Sequence, residues 1–148
     1  MYNAIKFLHL VAAIVWLGGM TFMLLALRPS LTALLPPPQR LPVLADVLRR
    51  FFALVWVAIG VLLAGGGFML ANAGAQAAPI GWHVMTGVGT LMFLIFGHIY
   101  FALFRPLQSA VAAADWPAAG RRANLLAKLV AVNFVLGWVA IAAVIFLA

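Results

Sequence analysis

Four long apolar runs, separated by polar or proline-bearing stretches, set the pattern of this chain. The runs predict helices over about 3–27, 51–71, 81–104 and 124–147. Each is near the ~20 residues that carry a helix across a ~30 Å hydrocarbon core. The first run meets Arg28-Pro29 and the third meets Arg105-Pro106. Proline cannot continue a helix without loss of a hydrogen bond, so both pairs read as stops. Between Arg28 and Arg50, the run Pro36-Pro37-Pro38 favours an extended stretch, and Leu41 to Arg50 reads as a short amphipathic surface helix. Asn72 to Pro79 is an uncharged, small-residue turn. The pattern predicts an all-α fold: one transmembrane domain over residues 1–148, built as an antiparallel four-helix bundle.

Composition makes the membrane explicit. Of 148 residues, 68% are hydrophobic and 7% charged, with a mean hydropathy of +1.19. A soluble domain of this size could not cover itself with so little polar surface. The net charge is +7, but the nine Lys and Arg residues sit at helix ends and in connecting segments. There they act as topology signals and headgroup contacts rather than as a nucleic-acid surface. The first and third connections are basic and the second is not. The positive-inside rule then puts both termini and the Asn72–Pro79 turn outside, on the periplasmic face of a bacterial inner membrane. Lys128, one turn inside the fourth run, can snorkel to the inner interface; Lys6 opposes the bias. The first run is too long for a signal peptide and lacks a small-x-small cleavage site, so it reads as a retained span. With no cysteine, the chain has no disulfides, thiolate metal sites or iron–sulfur clusters. With no glutamate, and both aspartates outside the apolar runs, carboxylate proton relays are excluded as well.

The chain carries a faint internal repeat. Ala26-Leu27-Arg28-Pro29 ends the first run and Leu103-Phe104-Arg105-Pro106 ends the third. His9 precedes Arg28, and His83 precedes Arg105, by similar distances. Two hairpins in parallel repetition would be related by an axis along the membrane normal.

The chemistry rests on three histidines. An ionisable side chain within a span needs a partner or a ligand. On the first helix His9, Ala13, Trp16, Met20 and Met23 share a face; ordinary packing, or a hydrogen bond from His9 to a neighbouring helix, would also satisfy that pattern. The second helix has a stripe of Ala53, Trp56, Gly60, Ala64 and Gly67, and an unusual Gly65-Gly66-Gly67. Such residues serve close helix contact, including a homodimer, or the flat wall of a porphyrin. On the third helix His83 and His98 lie 15 residues apart, roughly 22 Å in height, so they cannot share a metal. His9 and His83 lie at similar depth and together would make a bis-imidazole haem b site in a four-helix bundle. His98 is the third candidate metal ligand, in a second site with Met20 and Met23; alternatively it hydrogen-bonds a group such as Asn133 on the fourth helix, or responds to haem propionates or a quinone. Arg28 and Arg105 stand at the inner ends as helix-end anchors, where they would also neutralise acidic groups of a ligand.

The pattern His9-x6-Trp16-x-Gly18-Gly19 resembles the first-helix signature of the CopD copper-resistance domain and of the HemJ-type protoporphyrinogen oxidases. Gly81-Trp82-His83 and Gly97-His98-Ile99-Tyr100 are loosely similar to the HemJ third helix. The resemblance implies a four-helix membrane unit. On the HemJ side it implies bound haem b, held by the first-helix histidine; on the CopD side it implies copper passage toward the cytoplasm. The functional lysine of the HemJ third helix has no counterpart here, Met85 standing near that position. The leading expectation is therefore a haem b-binding oxidoreductase-type membrane protein that exchanges electrons with a quinone or a redox partner protein. Its cofactor contacts would come from His9, His83, Trp16, Ala13, Gly60, Arg28 and Arg105. The alternatives are a copper transport module using His9, Met20, Met23, Met85 and His98, and a non-catalytic accessory subunit.

Overall fold

The computed structural model of the chain describes residues 1–74 and 76–147; Ala75, in the expected turn after the second span, lies outside the described residues. Four helices are long and apolar enough to cross a membrane: α1 (Tyr2–Leu34), α2 (Pro37–Ala73), α3 (Ile80–Ala112) and α4 (Trp116–Phe146). The chain is an all-helical, multi-pass membrane protein.

All four helices are longer than the apolar runs, for reasons that can be read locally. Neither Arg-Pro pair is a stop. In α1 the backbone widens into a π turn over Met23–Leu27, where the Arg28 N–H bonds to the Met23 carbonyl, and the helix resumes over Arg28–Leu34. In α3 a π turn over Ile99–Phe104 ends with the Arg105 N–H on the Tyr100 carbonyl, and the helix resumes over Arg105–Ala112. The wider turn accommodates a proline ring that would collide with the carbonyl four residues back in a regular α-helix. Both halves of the suspected repeat thus carry the same backbone device at the same motif.

The triple proline is also not an extended run. Only Pro36 is extended (φ −70°, ψ 160°); Pro37 and Pro38 open α2, where the missing N–H groups have no helical partner to lose. Leu41 to Arg50 is therefore the first part of α2 and not a separate surface helix. α4 begins eight residues earlier than its apolar run, because the Asp115 carboxylate accepts the Ala118 N–H at 3.1 Å and caps it. α2 ends at Gly74, whose φ of +75° suits a residue without Cβ.

α1 lies along α2, and α3 along α4. Along each pair the contacts run in opposite chain order: Gly65 faces His9 while Phe51 faces Gly19, and Gly81 faces Ala143 while the Met92 carbonyl accepts from Asn133. The packed core fills one half of the bundle. Phe52 sits at its centre, edge-on to Phe96 (5.2 Å) and Phe104 (5.0 Å), with Trp56 against Phe96 (5.0 Å) and Tyr100 against Phe104 (5.5 Å). Leu48, Leu107, Leu126 and Val55 complete it, all essentially without solvent contact. This aromatic plug closes the half of the bundle that holds the Arg-Pro turns. The other half, toward the chain ends, is not filled.

Candidate functional site

A cavity of about 420 Å³ lies between the four helices in that unfilled half. It extends from Lys6 and Trp82 at its rim to Met20 and Met92 at its floor. α1 contributes His9, Ala13 and Trp16. Trp16 is almost fully buried and stacks on Phe93 of α3, ring centres 5.7 Å apart at 16°. That stack separates the cavity from the plug beneath it.

His9 packs against glycines of α2. A Cβ on Gly65 would stand 3.4 Å from the His9 Nδ1, and one on Gly66 would stand 3.4 Å from Cε1. Without those side chains the imidazole lies against the α2 backbone. Its Nδ1 is buried and, among the described residues, no side chain pairs with it; the backbone of Leu62 lies beside the ring. A buried polar atom left unpaired costs free energy, on the order of 1–3 kcal/mol, unless something binds to it. The triple glycine thus serves close contact between α1 and α2, as well as the wall beside the histidine.

The hydroxyls on the wall are already bonded. Thr86 donates to the Trp82 carbonyl and Thr90 to the Thr86 carbonyl, each at 2.8 Å, so both hydroxyls are tied to their own helix. Besides Lys6 at the rim, the remaining donor atoms are sulfurs. Met20, Met69, Met85 and Met92, four of the six methionines in the chain, line the cavity. Among the described residues, no three His, Asp or Glu side chains gather to hold a metal ion. The donor set is one imidazole and four thioethers.

The structure distributes the other candidate residues differently from the expectation. His83 lies on the exposed side of α3 and does not line the cavity, so it is not brought to His9. The two turns of α3 that enter the cavity present Met85, Gly89, Met92 and Phe93 instead. A bis-imidazole haem does not fit these residues, because the cavity holds one histidine. His98 is exposed further along the same helix, away from Met20 and Met23; Met23 is buried in the core below the cavity. Gly60 faces outward with Ala53 and Ala64, while Trp56 lies at the edge of the plug, partly exposed, and Gly67 lines the cavity. Arg105 is exposed, whereas Arg28 is half-buried at the far end of the bundle and donates to the Asn124 side chain. Sequence reasoning passed over Met69 and Met92. For Met92 a signal was present: it follows Met85 by seven residues, two helical turns on one face.

The family model for copper resistance protein D matches residues 45–147, which take in most of α2 and all of α3 and α4. Met69, Met85 and Met92 fall inside the matched stretch, and His9, Trp16 and Met20 precede it. No curated protein matches the chain, and no solved structure matches it.

Proposed function

The chain belongs to the copper resistance protein D family, and from that premise we propose that it handles copper within the membrane, taking the cuprous ion as cargo in the cavity beneath Lys6 and Trp82. The observation that carries this reading is the ligand set: four thioethers and one half-buried imidazole in a cavity whose hydroxyls are already bonded. Soft thioether ligands select Cu(I), whereas divalent ions favour sites richer in imidazole and carboxylate. In this reading the four helices form an antiparallel bundle with both termini outside, as the basic first and third connections favour. The cavity then opens toward the periplasmic face of an inner membrane. Copper enters past the rim and meets His9 first, then Met85, Met20 and Met92. Beyond Met20 and Met92 lies the aromatic plug, so onward movement requires its rings to part.

The test is a competition titration of the purified protein with Cu(I) against a chromogenic Cu(I) chelator under reducing conditions. Wild-type protein should withdraw copper from the chelator. The double variant Met85→Leu/Met92→Leu keeps the packed volume and should bind at least about tenfold more weakly, since two of the soft ligands are gone. His9→Ala should weaken binding similarly. Variants that bind as tightly as the wild type would refute the site. A wild-type protein that instead shows sharp dithionite-reduced absorption bands, lost in His9→Ala, would return the reading to haem b.

A further inference from the structure

At the opposite end of the bundle a second cavity, of about 160 Å³, opens where α1, α2 and α4 meet. Its polar lining is Arg28 and Thr32 from α1, Arg40 from α2 and Asn124 from α4, with Gly120 leaving the α4 wall open. Arg28 and Arg40 are half-buried, while Arg49, Arg50, Arg105, Arg121 and Arg122 are exposed. The Asn124 side-chain oxygen accepts from the Arg28 guanidinium and holds it at the cavity. Neither acidic residue balances the pair. Asp46 is taken by Arg49 at 2.8 Å and Arg50 at 3.0 Å, and Asp115 caps α4. Two guanidiniums partly withdrawn from water into one cavity, with no carboxylate among the described residues to meet them, repel each other and lose hydration. Such a cavity is complementary to an anion.

We propose that this cavity binds a phosphate group, through charge-assisted hydrogen bonds from Arg28 and Arg40 and a hydroxyl donor from Thr32. Guanidinium forks match the tetrahedral oxygens of phosphate. The site goes beyond the copper reading and is separate from it: Arg28 lies 19 residues along α1 from His9, roughly 28 Å at 1.5 Å per residue. Two sources carry this chemistry, the phosphodiester of a membrane lipid and free phosphate. Basic cavities between spans at the cytoplasmic side receive anionic headgroups.

The test uses the full chain in a non-ionic detergent, with thermal unfolding followed by tryptophan fluorescence. It is titrated in turn with phosphatidylglycerol, with diacylglycerol lacking the phosphate, and with inorganic phosphate. A ligand that binds the folded state raises the midpoint with concentration. Phosphatidylglycerol should raise it and diacylglycerol should not. Arg40→Gln should weaken the apparent affinity about tenfold or more, the scale of one charged hydrogen-bonding partner. Arg121→Gln, an exposed arginine outside the cavity, should leave it unchanged. A rise with inorganic phosphate alone that Arg40→Gln removes would support the site and identify free phosphate as the source. Should Arg40→Gln fail to fold, Arg40→Lys, which keeps the charge and loses the fork, should weaken binding several-fold. The proposal is overturned if diacylglycerol stabilises as much as phosphatidylglycerol, if Arg121→Gln is as damaging as Arg40→Gln, or if the folded Arg40 variant binds like wild type.

Discussion

At Gly81 the backbones of α3 and α4 come into contact, and replacing it with alanine tests the packing that shapes the cavity. A Cβ at this position would overlap the Ala143 carbonyl oxygen and stand 3.0 Å from the Ala143 carbonyl carbon and 3.1 Å from the Val144 Cα. These are backbone atoms, so no side-chain rotation can make room. The Gly81 N–H also donates to the Leu147 carbonyl at 3.0 Å, tying the start of α3 to the end of α4. Gly81→Ala must push the two helices apart at this end. Overpacking of this kind costs about 1–3 kcal/mol, and the strained hydrogen bond adds about 1 kcal/mol. The sum, roughly 2–4 kcal/mol, corresponds to a fall in unfolding midpoint on the order of 10 °C for a chain of this length. Gly87 on the same helix is the control: a Cβ there meets nothing within 4 Å. Gly87→Ala should be neutral or up to about 1 kcal/mol more stable through helix propensity. The assay is thermal unfolding of both variants in the same detergent, followed by near-ultraviolet circular dichroism. Because Gly81 adjoins Trp82 at the cavity rim, Gly81→Ala should also bind Cu(I) more weakly while Gly87→Ala does not. A Gly81→Ala protein as stable as wild type, or a Gly87→Ala protein equally damaged, would show that the close approach is not what holds α3 to α4.

Two further outcomes follow from local geometry. Trp16→Ala removes a buried ring that packs on Phe93 at 5.7 Å and on Phe96 at 6.1 Å; it should cost about 3–5 kcal/mol in detergent unfolding and join the cavity to the space above the plug. Ala114 has a φ of +53° between α3 and α4, a conformation that penalises a Cβ, so Ala114→Gly should raise stability by roughly 0.5–1 kcal/mol in the same assay.

The four spans were legible because a membrane demands long apolar runs whatever the bundle does inside. Which side of each run faces inward was legible only in part. On α1 the histidine, Trp16 and Met20 mark the interior together. On α2 the small-residue stripe through Gly60 faces out, while the inward face carries Leu48, Phe52 and Val55. Lipid is as apolar as a protein core, so hydrophobic periodicity does not separate the two faces of a span. His83 followed the same error. A histidine near the end of a span can reach the interface from the outer surface, so its polarity alone did not require an inward direction. The length of the helices was hidden for another reason: the Arg-Pro pairs do interrupt regular α geometry, but a backbone that widens by one residue absorbs the interruption without ending the helix.

That widening has a consequence for how the chain tolerates insertion and deletion. A π turn spends one more residue than the α turn it replaces, so everything beyond it is turned by about 100° about the helix axis relative to an uninterrupted helix. Deleting a single residue such as Leu25 would let the π turn close to an α turn and leave Arg28 and Thr32 facing Asn124, whereas straightening the turn at unchanged length would swing them away, with His9 and Trp16 staying where they are in both cases. The matching turn at Ile99–Phe104 holds α3 to the same phase shift. The two ends of the bundle are in effect indexed separately along the chain, and a one-residue deletion at either Arg-Pro motif is absorbed by the turn itself without disturbing the end that holds His9.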